Sequence, residues 1–114
     1  MTGKVTARRD ALLESGTRLA MCALLQGAER VEFGTVREIV GVADSSVSKN
    51  ARILEDAGYL EVDKGAVGRR PRTWFRLTPA GHEALGGHLA WLEALRESAP
   101  PTPRQAEDRS EPTG

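Results

Sequence analysis

Two groups of residues have types and spacings that could do chemistry. The first is a run of cations. Lys64, Arg69, Arg70, Arg72 and Arg76 fall within thirteen residues, and no acidic residue lies between Asp63 and Glu83. Gly65, Gly68 and Pro71 share this run, so regular structure is not expected over residues 65–72 and the charges ride on a turn. Guanidinium groups are planar forks that match phosphate, and they are drawn into narrow minor grooves. Pro71 stiffens the tip, so less entropy is lost on docking. A solvated charged turn is the bland alternative, but turns of that kind usually mix their signs.

The second group is Ser45, Ser46, Ser48, Lys49 and Arg52. A helix advances about 100° per residue. With Val47 as origin, Ala51 and Leu54 fall on its side, and Ser45, Lys49, Arg52 and Asp56 fall opposite. Ser46 and Ser48 lie on the flanks. Such a helix has an apolar inner face and an outer face of hydrogen-bond donors. A helix fits the major groove of DNA, where donors near its N-terminus reach base edges. Any solvated helix shows a similar face, so this group gains its meaning from the cation run that follows it.

Other reactive side chains form no constellation. Cys22 is the only cysteine, which excludes an intrachain disulfide and a cysteine-rich zinc site. It sits in an apolar run with no neighbouring cation to lower its pKa, so a buried structural role is expected rather than redox sensing. His82 and His88 are six apart, on opposite sides of a helix, so no metal site is expected within one chain, although a site bridging two subunits stays open. No Ser-His-Asp set, phosphate loop or carboxylate pair appears. The reading is of a protein that is not an enzyme and has no cofactor. Trp74, Phe75 and Trp91 read as core or interface residues.

The elements that position these groups follow from periodicity and punctuation. Residues 8–14 form a short first turn. Thr17 caps a helix over residues 18–27, with Leu19, Cys22, Ala23 and Leu25 at helical spacing and Gly27 as its stop. Residues 31–33 are extended. Thr35 and Glu38 make a capping box for a second helix whose Val36, Ile39 and Val40 face inward, with Gly41 ending it. Asp44 or Ser45 caps a third helix over residues 45–57, and Gly58 stops it. Residues 59–64 and 73–78 read as strands, with the cation run at the hairpin tip between them. Thr78 caps a last helix with Pro79 at its first position. Leu85, Leu89, Leu92 and Leu95 give this helix an apolar stripe, broadened by Ala84, His88 and Trp91.

The chain has 114 residues, 39% hydrophobic and 28% charged, with 16 basic against 16 acidic residues. That allows one modest core and one domain. The longest apolar run, residues 19–25, is far short of the about 20 residues a membrane span needs. No signal peptide is visible, and cytoplasmic localisation is expected. Residues 98–114 hold four of the six prolines and no large apolar side chain; they are expected to be a disordered tail. The domain is residues 1–97.

A resemblance gathers these features. Leu54-Glu55-Asp56-Ala57-Gly58-Tyr59-Leu60, then Gly68-Arg69-Arg70-Pro71-Arg72-Thr73, then Leu77-Thr78-Pro79-Ala80-Gly81 resemble the stand-alone winged-helix transcriptional regulators related to the MarR and ArsR groups. The likeness runs from Thr17 to Leu95. It implies a mainly α fold with a small β-hairpin, an α+β winged helix-turn-helix, whose N- and C-terminal helices form a dimer interface. It implies a homodimer on a pseudo-palindromic operator in double-stranded DNA, acting as a repressor. Its recognition helix would use Ser45, Ser46, Ser48, Lys49 and Arg52, and its wing Lys64, Arg69, Arg70 and Arg72. The Leu85, Leu89 and Leu92 stripe with Trp91, joined by Leu12 and Leu13 of the first turn, reads as the dimer surface, against the alternative that the last helix folds back onto its own core. Asn50-Ala51 departs from the histidine and leucine often found there, and Ser45-Ser46 from a glycine-containing pair, so the operator sequence cannot be carried over. Two other readings stand beside this one: a winged-helix protein-interaction module without DNA binding, and a sensor of the same fold with a small-molecule or redox effector.

Overall fold

A computed structural model of the protein describes residues 6–101. A 3-10 turn, Ala11–Glu14, precedes α1 (Gly16–Gln26), β1 (Val31–Glu32), α2 (Phe33–Val40) and α3 (Asp44–Asp56). The hairpin strands β2 (Leu60–Val67) and β3 (Arg70–Leu77) follow, then α4 (Pro79–Ser98). The strands form one antiparallel sheet in the order β1-β3-β2. This is the expected α+β winged helix. Of the expected tail, Ser98 instead closes α4, and residues 102–114 lie outside the described residues.

Several helix starts differ from expectation. Ser15, not Thr17, caps α1, and its side chain accepts from the Arg18 N–H at 3.2 Å. The capping box at Thr35 and Glu38 does not form; α2 begins at Phe33 and has no side-chain cap. Phe33 packs on Phe75 with ring centroids 5.8 Å apart, and covering that ring outweighs a cap worth about 1 kcal/mol. Ala43, without a side-chain cap, precedes α3, so Asp44 lies inside the first turn, where its charge suits the helix dipole. Ile39 is 62% exposed rather than inward. In so short a helix, Phe33, Val36 and Val40, at spacings of three and four, supply the inner stripe.

The hairpin is more regular than its glycines and proline suggest. The strands pair from Leu60↔Leu77 out to Val67↔Arg70, so only Gly68 and Arg69 form the turn. Gly68 takes φ +64, as the first position of a primed two-residue turn requires. The closing pair of such a hairpin exchanges hydrogen bonds, so Ala66↔Pro71 falls on a pair that exchanges none. The missing proline N–H then costs the ladder nothing.

The core is a single cluster from every helix and both hairpin strands, including Met21, Leu25, Val36, Leu54, Phe75 and Leu85. Two junctions lock the hairpin to it. At the end of α3 the Tyr59 N–H donates to the Leu54 carbonyl and the Gly58 N–H to Glu55, both at 2.9 Å, with Gly58 at φ +82: a Schellman stop. At the start of α4, Thr78 Oγ1 donates to the Gly58 carbonyl at 2.6 Å and accepts from the Gly81 N–H at 3.0 Å. The N-terminal segment lies along α4. The Arg8 N–H donates to the Gly87 carbonyl and the Asp10 N–H to His88 Nδ1, each at 2.9 Å.

Candidate nucleic-acid interface

On α3 the inner face is buried at Val47, Ala51 and Leu54. Ser45, Ser48, Lys49 and Arg52 are exposed on the other side, and Ser46 is half-buried. What holds this helix at its angle was missed in the sequence. Asn50 is buried; its Nδ2 donates to the Ser46 carbonyl at 2.9 Å, and its Oδ1 accepts from Arg18 Nη1 at 2.8 Å. Arg18 Nε in turn donates to the Leu12 carbonyl at 2.7 Å. One polar chain thus joins the 3-10 turn, α1 and α3. Asn50 lies three residues after Val47, on the inner side by helical period, and that position was the available signal.

The wing separates the five cations into two kinds. Arg72 is ion-paired with Glu32, and Arg76 with Glu61; the Glu61 carboxylate raises the Arg76 pKa. Lys64, Arg69 and Arg70 are exposed and have no ion pair among the described residues. The single-sign run in sequence is therefore mixed in space, because Glu32 and Glu61 arrive from neighbouring strands. Arg72 is half-buried at the wing root, so its first task is to join β3 to the segment around β1. On the same outer face Arg30 lies 4.3 Å from the Trp74 ring centroid and pairs with Asp63 at 3.3 Å. Strand alternation puts Lys64 on the opposite, inner face. There a cavity of 570 Å³ separates the helix from the wing, lined by Ser48 and Arg52 of α3 and Lys64 and Thr73 of the hairpin.

The other candidates fall outside this surface. Cys22 is fully buried, and burial pushes its thiol up to about 11. His88 is buried against Trp91, ring centroids 5.4 Å apart, while His82 is exposed. Among the described residues no group of histidine, cysteine and acidic side chains could hold a metal, and no helix is long and apolar enough to cross a membrane. The expected dimer surface divides. Leu13 and Leu85 are 1% and 0% exposed within one chain. They belong to its own core and have no surface left for a partner. Leu12 and Trp91 are half-buried, and Leu89 and Leu92 are exposed.

Comparison with known proteins agrees with this geometry. Residues 17–95 match the family described as winged helix DNA-binding domain. An uncharacterized protein of Methanocaldococcus jannaschii is 27% identical over 78 residues, 68% of this chain and 85% of that protein. The structure of a transcriptional regulator homologue from Pyrococcus horikoshii superposes with TM-score 0.72 at 23% identity, over 77% of this chain and 87% of that one. A MarR-family transcriptional regulator from Silicibacter pomeroyi superposes with TM-score 0.56 at 25% identity, over 84% and 66%. With the family match spanning both the helix-turn-helix and the wing, the chain belongs to the winged helix DNA-binding domain family, on a fold shared with MarR-type regulators.

Proposed function

We propose that the protein is a transcriptional repressor that binds a pseudo-palindromic operator as a homodimer and acts by occupancy rather than catalysis. One observation carries this reading: the exposed donor face of α3 stands beside a wing whose Lys64, Arg69 and Arg70 carry no ion pair among the described residues. Ser45, Ser48, Lys49 and Arg52 read base edges in the major groove, with Ser46 at the rim. The wing cations follow the adjacent backbone or minor groove. An interaction module has no use for arginines concentrated at a wing tip.

The test is fluorescence anisotropy on genomic fragments that the purified protein retains, and on random duplex, across a salt series. Arg69→Ala with Arg70→Ala should weaken both DNAs alike and flatten the log-log salt slope by about 0.9 per lost phosphate contact. Alanine at Lys49 or Arg52 should cost about 1 to 3 kcal/mol on the retained sequence and little on random DNA. No salt-dependent binding by the wild type would reject the reading.

A further inference from the structure

A polar notch lies beside the hairpin, and the proposed interface draws on it only through Arg70. It has a volume of 460 Å³ and lies between α2 and the root of the wing. Arg37 of α2 and Arg70 and Arg72 of β3 line it, with a single carboxylate, Glu32. Arg72 is held by Glu32 through Nη1, and its Nε is buried without a hydrogen-bond partner. Its guanidinium is therefore fixed in place and only partly satisfied. Arg37, in the notch wall, is ion-paired with Asp44 at 3.0 Å, with both side chains exposed. Exposed pairs of this kind contribute little, so Arg37 can turn to another anion at small cost. Three guanidinium groups against two carboxylates leave one positive charge in excess, and Arg70 has no ion pair among the described residues.

The wall opposite the wing adds donors to this charge. Glu32 at the start of α2 provides no side-chain cap, and Gly34 at the next turn position has no side chain to cover the backbone. A Cβ placed there would meet only Arg37 Nη2, at 3.9 Å. The guanidinium of Arg37 therefore lies over the first turn of α2 and beside Asp44 at the start of α3. That is the side of the molecule from which the donor face of α3 begins.

We propose that this notch holds one phosphate group of bound DNA. Arg37 and Arg70 grip it from α2 and the wing, and Arg72 with Glu32 is the fixed strut that sets the distance between them. The proposal rests on the DNA-binding reading above and adds Arg37 to it. Because the grip joins the helix-turn-helix to the wing, it fixes the register of both on one stretch of backbone. Phosphate contacts of this kind position a protein and carry no base sequence.

The experiment uses the full chain and a DNA that it retains. Arg37→Ala should weaken retained and random duplex by the same factor and reduce the salt slope by about 0.9 for each notch engaged. Arg37→Lys should restore part of the slope, since it returns charge without the fork. A scan of single methylphosphonate substitutions, each removing one backbone charge, should find one position per half-site that weakens the wild type and leaves Arg37→Ala unaffected. Thermal melts check that the variants fold. An unchanged slope, a loss confined to the retained sequence, or additive losses at every methylphosphonate position would overturn the notch. Inorganic phosphate that binds the wild type but not Arg37→Ala, and that weakens DNA binding no more than chloride at equal ionic strength, would assign the notch to a free anion and overturn the DNA assignment. If the wild type binds DNA and only these effects fail, the notch falls while the DNA-binding reading stands.

Discussion

Tyr59 shows how a single residue ties function to stability. It follows the stop of α3 and opens the path into β2, and its hydroxyl donates to Asp10 of the N-terminal segment. That hydrogen bond, with burial second, pushes the phenol from 10.0 up to about 12. The protonated phenol is thus the form the fold favours. Stability from this contact is whole below pH 10 and is lost as pH rises toward 12. Tyr59→Phe should lower stability at neutral pH by about 1.5 to 2 kcal/mol, the lower part of the range for a hydrogen bond to a charged group, because the site is half-buried. Chemical denaturation from pH 8 to 12 should show the wild type falling toward the variant as pH climbs. Parallel curves would mean that the contact is not formed. Cys22 contrasts with it: its raised thiol pKa and burial describe a core residue, as its apolar sequence neighbours suggested.

At the scale of elements, the wing depends on two junctions that meet. Gly58 ends α3, Gly81 lies in the first turn of α4, and Thr78 bridges them. A Cβ on Gly81 would stand 2.3 Å from the Tyr59 carbonyl and 2.7 Å from a Leu77 methyl. Since the nearest obstacle is backbone, it cannot swing aside. Gly81→Ala should destabilise by about 2 kcal/mol or more, with hydrogen exchange rising first in β2, β3 and the start of α4; an unchanged melting temperature would contradict this packing. The junctions also explain what was legible in the sequence. Two of the stretches that carried the family resemblance, residues 54–60 and 77–81, are the two that touch, so their spacing recorded a tertiary contact. The hairpin, the donor face of α3 and the Thr78-Pro79 start were legible for a different reason: local geometry demands those residue types. The α2 start was not, because the Phe33–Phe75 contact is made by residues 42 apart. Nor was the pairing of Arg72 and Arg76 with Glu32 and Glu61, since only strand register brings those charges together. The Arg18–Asn50 link lies across two helices, beyond any local pattern.

The whole molecule poses the question of the second copy. An operator with two-fold symmetry needs two recognition helices about 34 Å apart, and one chain has one. The far half of α4 is the surface available. Leu89, Leu92 and Leu95 are 40%, 39% and 50% exposed, a stripe at helical spacing beside the half-buried Trp91, while Leu85 at its near end is already in the core. Each of these leucines is partly covered, so a partner would add roughly 1 kcal/mol per side chain. Six across a two-fold interface contribute about 6 kcal/mol, which only meets the lower end of the cost of association. The stripe alone is therefore insufficient, and a stable isologous dimer must also cover Trp91 and Leu12. Light scattering should find the wild type dimeric at micromolar concentration. Leu89→Glu with Leu92→Glu should give a monomer with unchanged circular dichroism, since both side chains are exposed and their loss leaves the core intact. Trp91→Ala alone should move the dissociation midpoint to higher concentration. On DNA, the monomeric variant should lose affinity for the full palindrome while binding an isolated half-site as the wild type does. A wild type that stays monomeric yet binds the palindrome with full affinity would refute the dimer, and with it the use of this face of α4.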